Sequence, residues 1–119
     1  MKASTHDLLE ELIEFTREHL NQAEQLRQLP LEALNRKADA ESWSALECLE
    51  HLNLYGDFYL PEIEKRIRES KYPAEAQFRS GLLGNYFALS MLPKEKLNKM
   101  KTFKDKNPNG SRLNKSVID

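Results

Sequence analysis

A single cysteine, Cys48, excludes an internal disulfide, and with it the usual staple of a small secreted domain. Glycine and proline are scarce, four and five residues, too few for a loop-dominated fold. No sign of charge prevails. Eighteen Lys and Arg against nineteen Asp and Glu leave a net charge of −1. That argues against a partner such as nucleic acid or an anionic membrane, since both are held by a strongly basic face. No apolar run approaches the roughly 18 residues that span a bilayer. The first fifteen residues, MKASTHDLLEELIEF, lack the apolar core and small-residue cleavage site of a signal peptide. A soluble cytoplasmic protein is the expectation.

What remains is a lean, highly charged chain of 119 residues, 39% hydrophobic and 31% charged, the size of one domain. Residues 4–29 read as a long amphipathic helix. Ser4 or Thr5 can cap its start, and Leu8, Leu9, Leu12, Ile13, Leu20, Ala23 and Leu26 recur at helical spacing. Glu10, Glu11, Glu14, Arg17 and Glu18 hold the other face, and Pro30 closes the segment. A polar connection follows, with room for a short helical turn at Leu31–Leu34.

Residues 44–70 read as a second long helix. Ser44 and Glu47 form the S-x-x-E pattern of a capping box, and Trp43 is placed to fold back on the first turns as a hydrophobic staple. Pro61 falls inside and should kink it, because it removes a donor and clashes one turn back. Taken at about 100° per residue, the apolar positions Leu46, Cys48, Leu49, Leu52, Leu54, Tyr55, Phe58, Tyr59, Leu60, Ile63 and Ile67 cover well over half the circumference. A helix packed on one neighbour needs a stripe nearer about 100° wide. This one needs neighbours on most sides, as inside a bundle of at least four helices.

A short helix is expected over residues 82–91, then a basic, turn-rich connection carrying Lys94, Lys96, Lys99, Lys101, Lys104 and Lys106. Its plain reading is a solvated loop; with Phe103 among the lysines, a weak nucleic-acid contact is the other. A further helix would start near residue 111, with Ser111 as N-cap. Two long helices, one of them needing wide cover, do not close a bundle alone. Either the chain is a shortened relative of a longer bundle, or two chains supply each other's missing helices. The expectation is an all-α single domain over residues 1–119, incomplete as one chain and completed by homodimerisation.

The sharpest chemical candidate is His51, one turn after Glu47 at the edge of the apolar arc. An imidazole there can ligate a metal or sit hydrogen-bonded at a core boundary. A catalytic zinc or nickel site takes about three protein ligands. His6 and His19 do not supply them: thirteen residues apart on one helix, they fall on different faces. No H-x-x-x-H, H-E-x-x-H or C-x-x-C occurs. Glu47 could be a carboxylate ligand, but capping explains it more readily. Glu50 falls on the polar face. Cys48, on the apolar arc, reads as a small hydrophobe rather than a nucleophile, and Ser44 as a cap without His–Asp support. No catalytic residue is assigned.

The stretch ESWSALECLEHLNLYGDFYLPEI, Glu41–Ile63, resembles the DinB-like superfamily, with its Trp-Ser helix start followed by an E-x-L-x-H-L or similar turn. MLPKEKLNKMKTFKDKNP, Met91–Pro108, is similar to the loop before the third helix in one branch of that family. The resemblance implies an up-down-down-up four-helix bundle. It implies a divalent metal held by three histidines, one in the second helix and two from an H-x-x-x-H in the fourth. It also implies kinship with thiol-dependent S-transferases and hydrolases. His51 matches the second-helix histidine, and Trp43 and Ser44 match the helix start. The H-x-x-x-H is absent from this sequence, so the metal site stays incomplete unless a second chain contributes. Three functions are therefore carried forward: a DinB-like helical protein without a complete metal site in this chain, a divalent-metal-dependent hydrolase or S-transferase using His51, and a non-catalytic interaction module.

Overall fold

The computed structural model describes residues 1–93, 95 and 100–119. The chain is mostly helical, all-α apart from one short ribbon. Lys94, Lys96 and Lys99 of the basic run lie outside the described residues. Two compact units are distinguished, Met1–Arg17 with Tyr72–Lys101, and Glu18–Lys71 with Thr102–Asp119.

In the first unit, β1 (Lys2–Ser4) pairs antiparallel with β2 (Gln77–Arg79), Ala3 opposite Phe78. Nothing in the sequence pattern announces this ribbon: each strand is three residues long, shorter than the four to eight over which alternation can be read. It is extended at both ends by main-chain bonds, Thr5 N–H to the Ala76 carbonyl (2.9 Å) and Ser80 N–H to the Met1 carbonyl (3.0 Å). The Met1 ammonium also donates to Ser80 Oγ at 2.9 Å. Helix α1 (Thr5–Gln25) starts directly after β1. Ser4 Oγ accepts from the Asp7 N–H at 3.4 Å, a long version of the expected cap. Helix α4 (Leu82–Met91) has the bounds its sequence indicates.

In the second unit, α1 gives way to a 3₁₀ turn (Leu26–Gln28), then α2 (Leu31–Leu34) begins after Pro30. Helix α3 (Ala45–Arg68) follows, with Ser44 as its N-cap and the capping box complete. Pro61 lies within α3 without ending it. The remaining segment, Thr102–Asp119, is a strap with two 3₁₀ turns, Lys104–Lys106 and Lys115–Ile118. The helix expected from Ser111 does not form. The Ser111 N–H closes a turn onto the Pro108 carbonyl, and the Leu113 carbonyl is taken by Asn35 Nδ2. With these groups engaged elsewhere, helical pairing starts only after Asn114, whose side chain caps the Ser116 N–H.

The buried apolar side chains among the described residues are few. Leu34 of α2 and Leu46 of α3 are closed off, and Pro108 of the strap is buried too. No residue of α1 or α4 is buried. Most of the wide arc of α3 is open: Leu52, Phe58, Tyr59, Leu60, Ile63 and Ile67 are all exposed. Cys48 is exposed too, which corrects its reading as a packed small hydrophobe. The arc is as wide as the sequence indicates, but only its first turns are covered.

Candidate functional site

The most organised polar cluster lies where α3 begins. The β-region backbone of Ser44 turns its hydroxyl onto the Glu47 N–H (3.1 Å), while the Glu47 carboxylate reaches back to the Ser44 N–H (2.9 Å). Both residues are 2% exposed. Glu47 does more than cap. Its second oxygen accepts the Gly110 N–H of the strap at 2.9 Å, and Lys37 Nζ lies 3.2 Å from the first. Lys37 Nζ also donates to Asn109 Oδ1 at 2.5 Å. One carboxylate thus joins the start of α3, the loop after α2 and the strap.

Burial pushes the Glu47 carboxyl upward, but the Ser44 N–H, the Lys37 ammonium and the Gly110 N–H outweigh it and hold the group below the ordinary carboxylate range. A cavity of about 280 Å³ opens beside it, lined among others by Asn35, Lys37, Ser44, Ser111 and Arg112. That is just under the usual size of a small-molecule site.

One turn on, His51 is half-buried between aromatic rings. Its centroid is 4.8 Å from that of Trp43 and 4.9 Å from that of Tyr55. Trp43 therefore packs on the second turn of α3, as a long staple. His51 Nδ1 lies 2.9 Å from the Lys106 carbonyl oxygen. A carbonyl only accepts, so this contact places the hydrogen on Nδ1 and leaves the Nε2 lone pair free of it. The ladder continues through Tyr59, stacked on Tyr55 at 5.9 Å, and Phe58, over which Lys106 Nζ sits at 5.7 Å. Asn53 Nδ2 donates to the Val117 carbonyl at 2.9 Å.

The fit to a metal is poor within one chain. No group of three or more His, Cys, Asp or Glu side chains able to hold a metal ion occurs among the described residues. His6 is engaged with Glu10 at 3.4 Å on an exposed stretch of α1. Both Glu47 oxygens already accept hydrogen bonds, so it offers little as a ligand. Cys48 is exposed, but partial desolvation, then the nearby Glu47 charge, pushes its thiol up, opposite to what a nucleophile needs.

The sequence marks Trp43, Ser44, Glu47 and His51 as a group, and they meet in space. It gives no sign of Lys37, in the loop before α3, or of Gly110 and the Lys106 carbonyl, which complete the cluster from the distant strap. The only available cue is the turn-forming NPNG, Asn107–Gly110. Compared with family models, with curated proteins and with solved structures, the chain matches none. No helix among the described residues is long and apolar enough to cross a membrane.

Proposed function

We propose that this chain is a DinB-like helical module that associates with a second copy of itself, and that it holds no complete metal site of its own. The observation that supports the pairing is the open face of α3. Leu52 is 63% exposed, Leu60 68% and Ile67 70%, along one helix whose first turns alone are covered. A contiguous apolar stripe of this kind marks an interaction surface rather than a solvated one. A copy of the same helix offers a face of matching chemistry, as isologous pairs require. Sedimentation over a range of concentrations tests this, with a dimer as the expected species. A monomer throughout, with cooperative unfolding and no binding of an apolar dye, overturns the pairing. A dye-binding monomer turns the reading toward a module for another protein.

A second reading is a divalent-metal-dependent hydrolase or thiol S-transferase using His51. The favouring observation is the Nδ1 contact to the Lys106 carbonyl, since metal-binding histidines commonly fix their tautomer through the other ring nitrogen. The remaining ligands would have to come from a second chain. Zinc and nickel content after dialysis, in the native chain and in His51→Ala, tests it: stoichiometric metal lost on substitution supports it, and no metal in either sinks it. The substrate class is not specified by either reading.

A further inference from the structure

The Asn109–Gly110 peptide is where the strap is tied to α3, and its chemistry makes that tie perishable. Of the chain's asparagines, only Asn109 precedes a glycine. With no side chain on the following residue, nothing hinders its backbone nitrogen from reaching the asparagine amide carbon. Asn109 and Gly110 are both exposed, in a turn closed by Ser111 N–H on the Pro108 carbonyl at 3.0 Å. Gly110 has φ 81°, and the space its Cβ would occupy is open.

We propose that Asn109 is a self-modification site, a deamidation point gated by Glu47 and Lys37, whose conversion releases the strap. The Gly110 nitrogen bonds to Asn109 Cγ, and the bond from Cγ to the side-chain nitrogen breaks. Ammonia leaves, carrying the proton the Gly110 nitrogen gives up. Water then opens the cyclic imide at either carbonyl, leaving an aspartyl or an isoaspartyl residue at position 109. No oxidant or cofactor enters.

In the folded chain the two reacting groups are held by different partners. The Gly110 N–H donates to Glu47 at 2.9 Å, and the Asn109 side-chain oxygen Oδ1 accepts from Lys37 Nζ at 2.5 Å. The attacking nitrogen must shed its proton, and a carboxylate at that distance opposes the negative charge this creates. The Gly110 N–H must leave Glu47 before the ring closes, and the bond to Lys37 fixes the Asn109 side chain in one orientation. After conversion, the new carboxylate competes with Glu47 for Lys37 and stands as a like charge beside a buried carboxylate. The isoaspartyl form also lengthens the main chain by one atom, which moves the Gly110 N–H off Glu47. The rest of the strap, tied to Asn35 and to side chains of α3 through its Leu113, Lys106 and Val117 carbonyls, then loses its central anchor.

The test uses the full chain at mildly alkaline pH, native and in urea, with peptide mapping by mass spectrometry and isoaspartate labelling at position 109. Native conversion is expected to run about tenfold or more slower than in urea, the factor set by opening one charge-assisted hydrogen bond. Glu47→Gln and Lys37→Met, with helical circular dichroism retained, should recover much of the urea rate. If Glu47→Gln unfolds, Lys37→Met decides. Equal native and urea rates, or folded variants converting no faster than the parent, overturn the gate. In the converted fraction, the Gly110 amide should exchange hydrogen faster; unchanged exchange overturns the release.

Discussion

Glu47 shows how much one side chain can carry. Its carboxylate accepts from the Ser44 and Gly110 N–H groups and pairs with Lys37, so removing it strands three donors. Glu47→Ala is expected to cost roughly 3 kcal/mol, measured by urea denaturation, because the buried Ser44 N–H and two more open donors lose a charged acceptor. Ser44→Ala, which removes only the hydroxyl that caps the Glu47 N–H, should cost about 1 kcal/mol. A similar cost for the two would show that the contacts beyond the capping box contribute little. The pH dependence follows from the direction of the shift. The folded-state value of Glu47 lies below the unfolded one, so its contribution is complete above the ordinary carboxylate range. It is lost as pH falls through the folded value. The urea midpoint of the parent should therefore drop on the acid side, and that drop should be smaller in Glu47→Gln.

At the scale of elements, α3 is fixed at its start and open along its length. Leu46, in the first turn of α3, is 0% exposed. Leu46→Ala should cost about 2–5 kcal/mol, the span for a buried leucine whose cavity relaxes incompletely. The strap has little regular structure, and Asn35, just after α2, with side chains of α3 hold it largely by its main-chain groups: Asn35, Glu47, His51 and Asn53 bond to Leu113, Gly110, Lys106 and Val117. Its least replaceable residue is Gly110, at φ 81°. Gly110→Ala meets no atom but must adopt the left-handed region, so a loss of about 1 kcal/mol is expected from backbone strain alone. A neutral result in thermal unfolding would mean that the turn reopens into another shape.

At the scale of the molecule, the described residues close off only two large apolar side chains, Leu34 and Leu46. Exposed ones run along α1, α3 and α4, including Leu20, Phe58, Ile67, Leu83 and Phe87. A few kcal/mol from two buried leucines is small against the entropy of ordering a chain of this length. If a second copy covers the faces of α3, stability depends on concentration by mass action. The thermal midpoint should then rise as the chain is concentrated. A midpoint independent of concentration would count against association.

Much of this was legible without coordinates. Periodicity located α1 and α3, the apolar run after the glycine loop placed α4, and Ser44 with Glu47 marked the start of α3, because capping and amphipathic spacing are local and written in neighbouring residues. The width of the apolar arc on α3 showed that the helix needs cover. The three-residue strands were too short to leave a pattern, and Ser111 misled because its neighbours' backbone groups are satisfied by distant side chains. Local pattern thus settles the helical class and the role of each residue within a turn or two. The meeting of Lys37 and Gly110 on Glu47, of Asn109 with Lys37, and of His51 with the Lys106 carbonyl comes from the folding of the whole chain. Those contacts join residues more than fifty positions apart or lie across irregular loops, where no period or spacing records which groups will meet.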